Sequence, residues 1–162
     1  MRQMLNRFVK AGELNRAARG VFVKPKHVSK VGAVMPSAEE IAAMLSQSTG
    51  ETIAVHGAEA ARQLQLTTQV PMRFVFYTSG NSRTLRMVNR SVTLKHVNPS
   101  RLVLPGTVSG LIFSALYYLG KEHATIETLE KIKQRVSKKE FTAMFNLMDR
   151  MPAWMSDLFY RY

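Results

Sequence analysis

Hydrophobic residues at the start of the chain recur with the spacing of one helix face. Met1, Met4, Leu5 and Phe8 repeat at intervals of three or four, which predicts an amphipathic helix over residues 1–10. Glycine permits the left-handed backbone that ends helices, so Gly12 predicts the end of this helix. The opposite face carries five polar residues: Arg2, Gln3, Asn6, Arg7 and Lys10.

A short β-hairpin is predicted next, with strands at 14–16 and 21–23 and Gly20 in the turn. A cationic helix followed by a basic hairpin is typical of a winged helix-turn-helix from its recognition helix onward, with the hairpin as wing. We therefore interpret residues 1–26 as a partial winged-helix DNA-binding segment, the alternative being an ordinary solvated surface. The residue types that bond base edges are Arg2, Gln3, Asn6 and Arg7. The candidates for phosphate contacts are Lys10, Arg16, Arg19, Lys24 and Lys26.

Residues 27–36 lack periodicity and end in a proline, so they are predicted to form a linker. A second domain over 37–162 begins at a capping box, Ser37-Ala-Glu-Glu40, which predicts a helix ending at Gly50. A strand at 51–55 and a helix at 58–64 follow. This part is predicted to be an α/β domain with a helical C-terminal part.

Three strands are predicted at 73–78, 83–88 and 91–97, arranged as an antiparallel meander. Alternation places Leu85, Met87, Val92 and Leu94 on one face and Arg86, Thr93 and Lys95 on the other. The polar face could bind RNA, another nucleic acid or an acidic protein surface, or it could be an ordinary solvated face. Its basic residues are Arg73, Arg83, Arg86, Arg90 and Lys95.

The last third is predicted to be helical. Val108–Leu119 is almost entirely apolar and indicates a buried central helix, and further helices begin at Thr125, at the capping box of Ser137 and at Pro152. The fold class is therefore α/β in the α+β sense: a partial winged helix followed by a compact domain with a small, mostly antiparallel sheet packed by helices.

Charge is distributed unevenly along the 162 residues, whose formal net charge is +12. Residues 1–30 carry eight Lys and Arg against one Glu, and residues 60–121 carry eight with no Asp or Glu. Such asymmetry favours a polyanionic partner, most often nucleic acid. The chain has no cysteine, no secretory signal pattern and no apolar stretch long enough for a membrane span, so we expect a cytoplasmic protein without membrane partners.

Several strings together resemble the AbiEi-like antitoxins of type IV toxin–antitoxin (abortive infection) systems. They are RGVFVKPK (19–26), PSAEEIA (36–42), HGAEAARQLQLTTQVP (56–71), FVFYTSGNSRTLRM (74–87) and SGLIFSALYYLGKE (109–122). The resemblance implies a winged helix that represses the operon promoter and a second domain that counteracts a nucleotidyltransferase toxin. It also implies that this sequence begins inside the winged helix. Val88 stands where the family pattern has a hairpin glycine, and residues 137–162 lie outside the resemblance.

Catalytic signatures are weak. Metal-dependent nucleotidyl transfer needs clustered carboxylates, yet Glu51 and Glu59 are the only acids near the His56-Gly57 turn and the first Asp is Asp149. The sequence has no glycine-rich phosphate loop, and its four histidines lack metal-ligand spacing, so we expect no enzyme activity, cofactor or metal. His56 could contact a partner or a phosphate, although a local hydrogen bond at a turn is the more common role.

The sequence thus predicts a non-enzymatic antitoxin that opposes a nucleotidyltransferase toxin, with or without touching it, and autoregulates its operon by binding operator DNA. DNA binding should be weak in this form, because a ten-residue helix is marginal without partner helices, unless dimerisation replaces them. The alternative is a winged-helix transcriptional regulator with a ligand-sensing or dimerisation domain. An RNA-binding accessory protein is the third possibility.

Overall fold

A computed structural model describes residues 2–18, 20–28, 32–34, 36–86 and 91–162, with backbone only for residues 2, 18, 26–28, 32 and 33. Within these residues the fold is α+β, as predicted. The α-helices are Arg2–Lys10 (α1), Ala38–Thr49 (α2), Gly57–Gln63 (α3), Val108–His123 (α4), Ile126–Arg135 (α5), Lys138–Ala143 (α6) and Ala153–Arg161 (α7). The strands are Asn15–Ala18 (β1), Val21–Val23 (β2), Lys26–Val28 (β3), Gly32–Val34 (β4), Ile53–Val55 (β5), Phe74–Thr78 (β6), Arg83–Arg86 (β7) and Ser91–His96 (β8).

The predicted helix starts are confirmed by their caps. The Ser37 hydroxyl accepts the Glu40 N–H at 3.1 Å and the Glu40 carboxylate accepts the Ser37 N–H at 2.8 Å, which completes the capping box of α2. A second box at Ser137 opens α6, and Thr125 caps α5. α4 is interrupted at Gly120, directly after the apolar stretch Val108–Leu119, because the backbone of Gly120 leaves the helical region.

The main sheet has the strand order β5-β6-β8-β7, so the predicted meander is wrong. β6 pairs in parallel with β8, while β5–β6 and β7–β8 are antiparallel. The reason lies in the two faces of β6: Phe76 and Tyr77 are both buried, as expected of an interior strand. β7 has one buried apolar residue, Leu85, and carries an arginine at each end, which suits the edge position that it takes.

Two small hairpins precede the sheet. β1 and β2 form the predicted antiparallel hairpin, and Gly20 has φ +80° in its turn, a conformation that side chains disfavour. The expectation that 27–36 is a linker without regular structure is wrong, because β3 and β4 pair as a second antiparallel hairpin. Each of its strands has only three residues, too short for a periodic pattern to show in the sequence.

Among the described residues, the two largest of three hydrophobic clusters hold the fold together. The larger joins α3, α4 and the C-terminal helices, with Phe113, Leu116 and Phe159 almost fully buried. The second packs α2 against one face of the sheet, and Ala17 and Val23 of the first hairpin belong to it. The hairpin is therefore anchored on the same core as the sheet. No helix among the described residues is long and apolar enough to cross a membrane.

Candidate nucleic-acid interface

The polar face of α1 is solvent-exposed. Gln3, Asn6, Arg7 and Lys10 are all exposed, and α1 has no acidic residue in its first turn and two basic residues in its last. The backbone of Arg2 belongs to the same helix, and its side chain lies outside the described ones. The four exposed side chains can thus donate hydrogen bonds to base edges and phosphates.

The apolar side of α1 is only partly covered. Met4 is 60% and Phe8 37% exposed, and among the described residues neither belongs to a hydrophobic cluster. The helix end is nevertheless defined, because the Phe8 carbonyl accepts the N–H groups of Glu13 and Leu14. α1 therefore leads directly into the anchored hairpin while leaving apolar surface exposed.

The first hairpin, which follows α1 along the chain, carries further cations. Arg16 on β1 and Lys24 after β2 are exposed. Lys26 lies in β3, where only its backbone is described, and Arg19 lies outside the described residues. Because Ala17 and Val23 are buried in the core that the hairpin shares with the sheet, the strands bearing Arg16 and Lys24 have a fixed support. The arrangement is compatible with the wing of a winged helix.

The basic face predicted on the sheet is only partly correct. Arg86 and Lys95 are exposed and lie on the face opposite Leu85 and Leu94, as predicted, and exposed Arg73 precedes β6. Arg90 and Met87 lie outside the described residues.

The prediction that Arg83 lies on the basic face is wrong. β7 pairs Arg83 with Leu94 and so places it on the core side of the sheet. Its guanidinium lies 3.0 Å from the Glu51 carboxylate, which also accepts the Thr78 hydroxyl at 2.9 Å. Burial raises the pKa of Glu51, but the hydrogen bonds from Arg83 and Thr78 and the Arg83 charge outweigh it and hold that pKa below its ordinary value. Arg83 thus links β7 to Glu51, two residues before β5.

On the other face of the sheet, Arg101 is stacked between tyrosines. Its guanidinium carbon lies 4.0 Å from the ring centre of Tyr117 on α4 and 5.1 Å from that of Tyr77 on β6. Both distances are within the range of cation–π attraction. Among the described residues, its Nε is buried without a hydrogen-bond partner.

His56 adjoins the same tyrosine. Its ring centre lies 4.7 Å from Tyr77 and 6.0 Å from Tyr118, and its Nδ1 accepts the Ala58 N–H at 3.2 Å, so the local hydrogen bond expected at this turn is present. Burial lowers the pKa of His56, and the positive charges of Lys95 and Arg101 lower it further. At neutral pH the ring is therefore uncharged, and Nε2 carries its proton.

Sequence reasoning missed Tyr77, Arg101 and Tyr117 as parts of one site. The available signal was the acid-free stretch 60–121, in which all three occur. Only the fold brings them together, because Arg101 lies on the 3-10 turn Pro99–Arg101 after the sheet and Tyr117 lies one helix later. The described residues contain no group of three or more His, Asp or Glu arranged to hold a metal ion.

A family model described as a family of unknown function (DUF6088) matches residues 1–144. No curated protein and no solved structure matches the chain. The matched range includes α1, both hairpins, the whole sheet and the tyrosine-flanked Arg101.

Proposed function

Because the chain belongs to the DUF6088 family, whose function is unknown, we propose a function from its own residues. The protein is a non-enzymatic antitoxin that binds the DNA of its own operon and opposes a nucleotidyltransferase toxin. The single observation that carries the DNA-binding half is the exposed polar face of α1, with Gln3, Asn6, Arg7 and Lys10 and no acid among them. The toxin-opposing half is supported by the resemblance of the chain, from its N-terminus to about residue 135, to the AbiEi-like antitoxins.

The mechanism divides the contacts by residue type. Gln3, Asn6 and Arg7 contact base edges, while Lys10, Arg16 and Lys24 bind phosphates and release their counterions. The exposed Met4 and Phe8 leave α1 without the packing that would fix it on DNA. The expected affinity is accordingly weak, with a dissociation constant of about 10⁻⁴ to 10⁻⁶ M at physiological salt.

The DNA-binding half is tested by titrating a labelled fragment from upstream of the protein's own reading frame at several salt concentrations. The double variant Arg7→Ala/Lys10→Ala should weaken binding through the lost base contact of Arg7 and reduce the slope of log affinity against log salt by about 1 through the lost phosphate contact of Lys10. Lys131→Ala/Lys139→Ala removes the same charge from exposed sites on α5 and α6 and serves as the matched control.

Two results would count against this half. Equal slopes for the two double variants would show that α1 is not the DNA contact. Nanomolar binding by the unchanged chain would contradict the expected weakness of an uncovered α1.

The toxin-opposing half predicts that the protein restores growth when it is expressed with the toxic product of the adjacent reading frame. Residues 37–135 carry this role, so the Arg7→Ala/Lys10→Ala variant should still restore growth. A variant that loses DNA binding and rescue together would argue for protection through repression alone. In that case the protein would be a transcriptional regulator rather than an antitoxin.

A further inference from the structure

The sheet carries a second cationic site, separate from α1. We call it the Tyr77 cluster; its members are His56, Tyr77, Lys95, Arg101, Tyr117 and Tyr118. β6 and β8 pair Tyr77 with Lys95 in parallel register, so both residues lie on the same face of the sheet. Lys95 is exposed, and Arg101 is partly buried between the two tyrosine rings.

The segment of the chain that supplies the cations of the cluster contains no acid. The stretch 60–121, which contains Lys95 and Arg101, has no Asp or Glu. The acids of the neighbouring elements have other partners: Glu51 binds Arg83, and Glu59 binds Arg62 at 2.6 Å. A buried guanidinium nitrogen without a hydrogen-bond partner is unfavourable, and an anionic oxygen would satisfy it.

A cavity beside the cluster has space for a ligand. A cavity of about 280 Å³ lies between the start of α3 and β6, lined by His56, Glu59, Met72, Arg73 and Val75 among others. That volume is close to the lower end of the about 300–1,000 Å³ of small-molecule sites. His56 belongs to both the cavity and the cluster, and Arg73 adds a further exposed cation to the cavity wall.

Aromatic surface is also available. Tyr118 is 47% exposed and meets the His56 ring in an edge-to-face arrangement, so solvent-accessible aromatic surface for a planar ligand lies beside His56. Cationic side chains combined with an exposed aromatic ring are the usual means of binding single-stranded nucleic acid, in which phosphates meet the cations and bases stack on the rings. An inorganic anion would contact the cationic side chains, but it has no ring that could stack on Tyr118.

We propose that the Tyr77 cluster binds a nucleotide unit, either free or within a single strand. Its phosphate lies against Lys95 and Arg101, and its base stacks on Tyr118 and extends toward the cavity beside His56. This site is independent of DNA binding by α1. It gives the second domain its own nucleic-acid ligand, the substrate class on which a nucleotidyltransferase acts.

The test is fluorescence anisotropy with a labelled short oligouridylate, using the full chain in the Arg7→Ala/Lys10→Ala background so that α1 does not contribute. Lys95→Ala should weaken binding about tenfold, as expected for the loss of one charge-assisted contact, while Lys131→Ala leaves it unchanged. Tyr118→Leu should weaken binding at least about fivefold, and Tyr160→Leu, at a 79% exposed tyrosine on α7, should not.

Competition identifies the source of the nucleotide. Displacement of the probe by UMP indicates a site for free nucleotides, and displacement only by unlabelled oligouridylate indicates a single strand. The proposal is overturned if the probe does not bind, if Lys95→Ala matches its control, or if inorganic phosphate competes as well as UMP and Tyr118→Leu has no effect. Lys95 and Tyr118 are both substantially exposed, so neither variant depends on a rearranged core.

Discussion

Replacing Gly57 with alanine should destabilise the protein, although alanine is the better helix former. Gly57 is the first residue of α3 and is buried against α4. A Cβ at this position would overlap the Tyr118 Cβ and lie 2.6 Å from the Ser114 carbonyl oxygen. The Ser114 oxygen belongs to the backbone of α4, so the clash cannot be relieved by a change of rotamer.

The two opposing effects can be compared in size. Helix propensity alone would stabilise Gly57→Ala by up to about 1 kcal/mol. Overpacking of a tight contact costs about 1–3 kcal/mol, and here the contact is with backbone, so the steric cost should dominate. Subtracting a propensity gain of about 1 kcal/mol leaves a net cost of up to about 2 kcal/mol. For a chain of this size each kcal/mol moves the melting temperature by about 2–4 °C, which predicts a decrease of up to about 8 °C.

Thermal unfolding followed by circular dichroism measures this change directly. Ala58→Gly at the next, partly exposed position is the control, because it should lower stability through propensity alone. A melting temperature for Gly57→Ala equal to or above that of the unchanged protein would show that α3 and α4 do not approach as closely as described. Gly57→Ala should also weaken oligonucleotide binding, because Gly57 directly follows His56 in the chain and packs against the Cβ of Tyr118.

Other expectations follow from the core and the ion pairs. Phe159→Ala should cost about 3–5 kcal/mol in urea unfolding, because Phe159 is fully enclosed, whereas Tyr160→Ala beside it should cost less than about 0.5 kcal/mol. Ser137→Ala removes the capping box of α6 and should cost about 1 kcal/mol in the same assay, while Ser137→Gly should cost only a few tenths. The pKa of Glu51 is lower in the folded protein than in the unfolded one, so the ionised carboxylate stabilises the fold at pH values above its unfolded-state pKa. This stabilisation is lost as the pH falls through the folded-state pKa. Urea unfolding at pH 7 and pH 3 should therefore differ less for Glu51→Gln than for the unchanged protein, and equal differences would contradict the ion pair with Arg83.

Local sequence signals predicted the elements better than their arrangement. The capping boxes at Ser37 and Ser137 are short-range hydrogen-bond patterns, so they could be recognised from four consecutive residues. The order of the sheet depends on which strands meet across the fold. The burial of both faces of β6 places it inside the sheet, and the apolar pair Phe76 and Tyr77 was the available sign of this.

The candidate sites were predicted unevenly for the same reason. Exposure of Arg7 and Lys10 follows from helical periodicity, which the sequence displays directly. The side of the sheet on which Arg83 lies depends on strand register, and its pairing with Glu51 spans 32 positions of sequence. The stacking of Arg101 on Tyr77 and Tyr117 is likewise a product of tertiary packing, so local patterns gave no sign of it.

The central claim, that this protein is an antitoxin, is tested most directly by growth after co-expression with the product of the adjacent reading frame. Each protein expressed alone is the control. The account predicts that the neighbouring product alone arrests growth and that co-expression restores it, also with Arg7→Ala/Lys10→Ala. A harmless neighbour, or toxicity that co-expression leaves unchanged, would contradict the antitoxin function and favour a DNA-binding regulator.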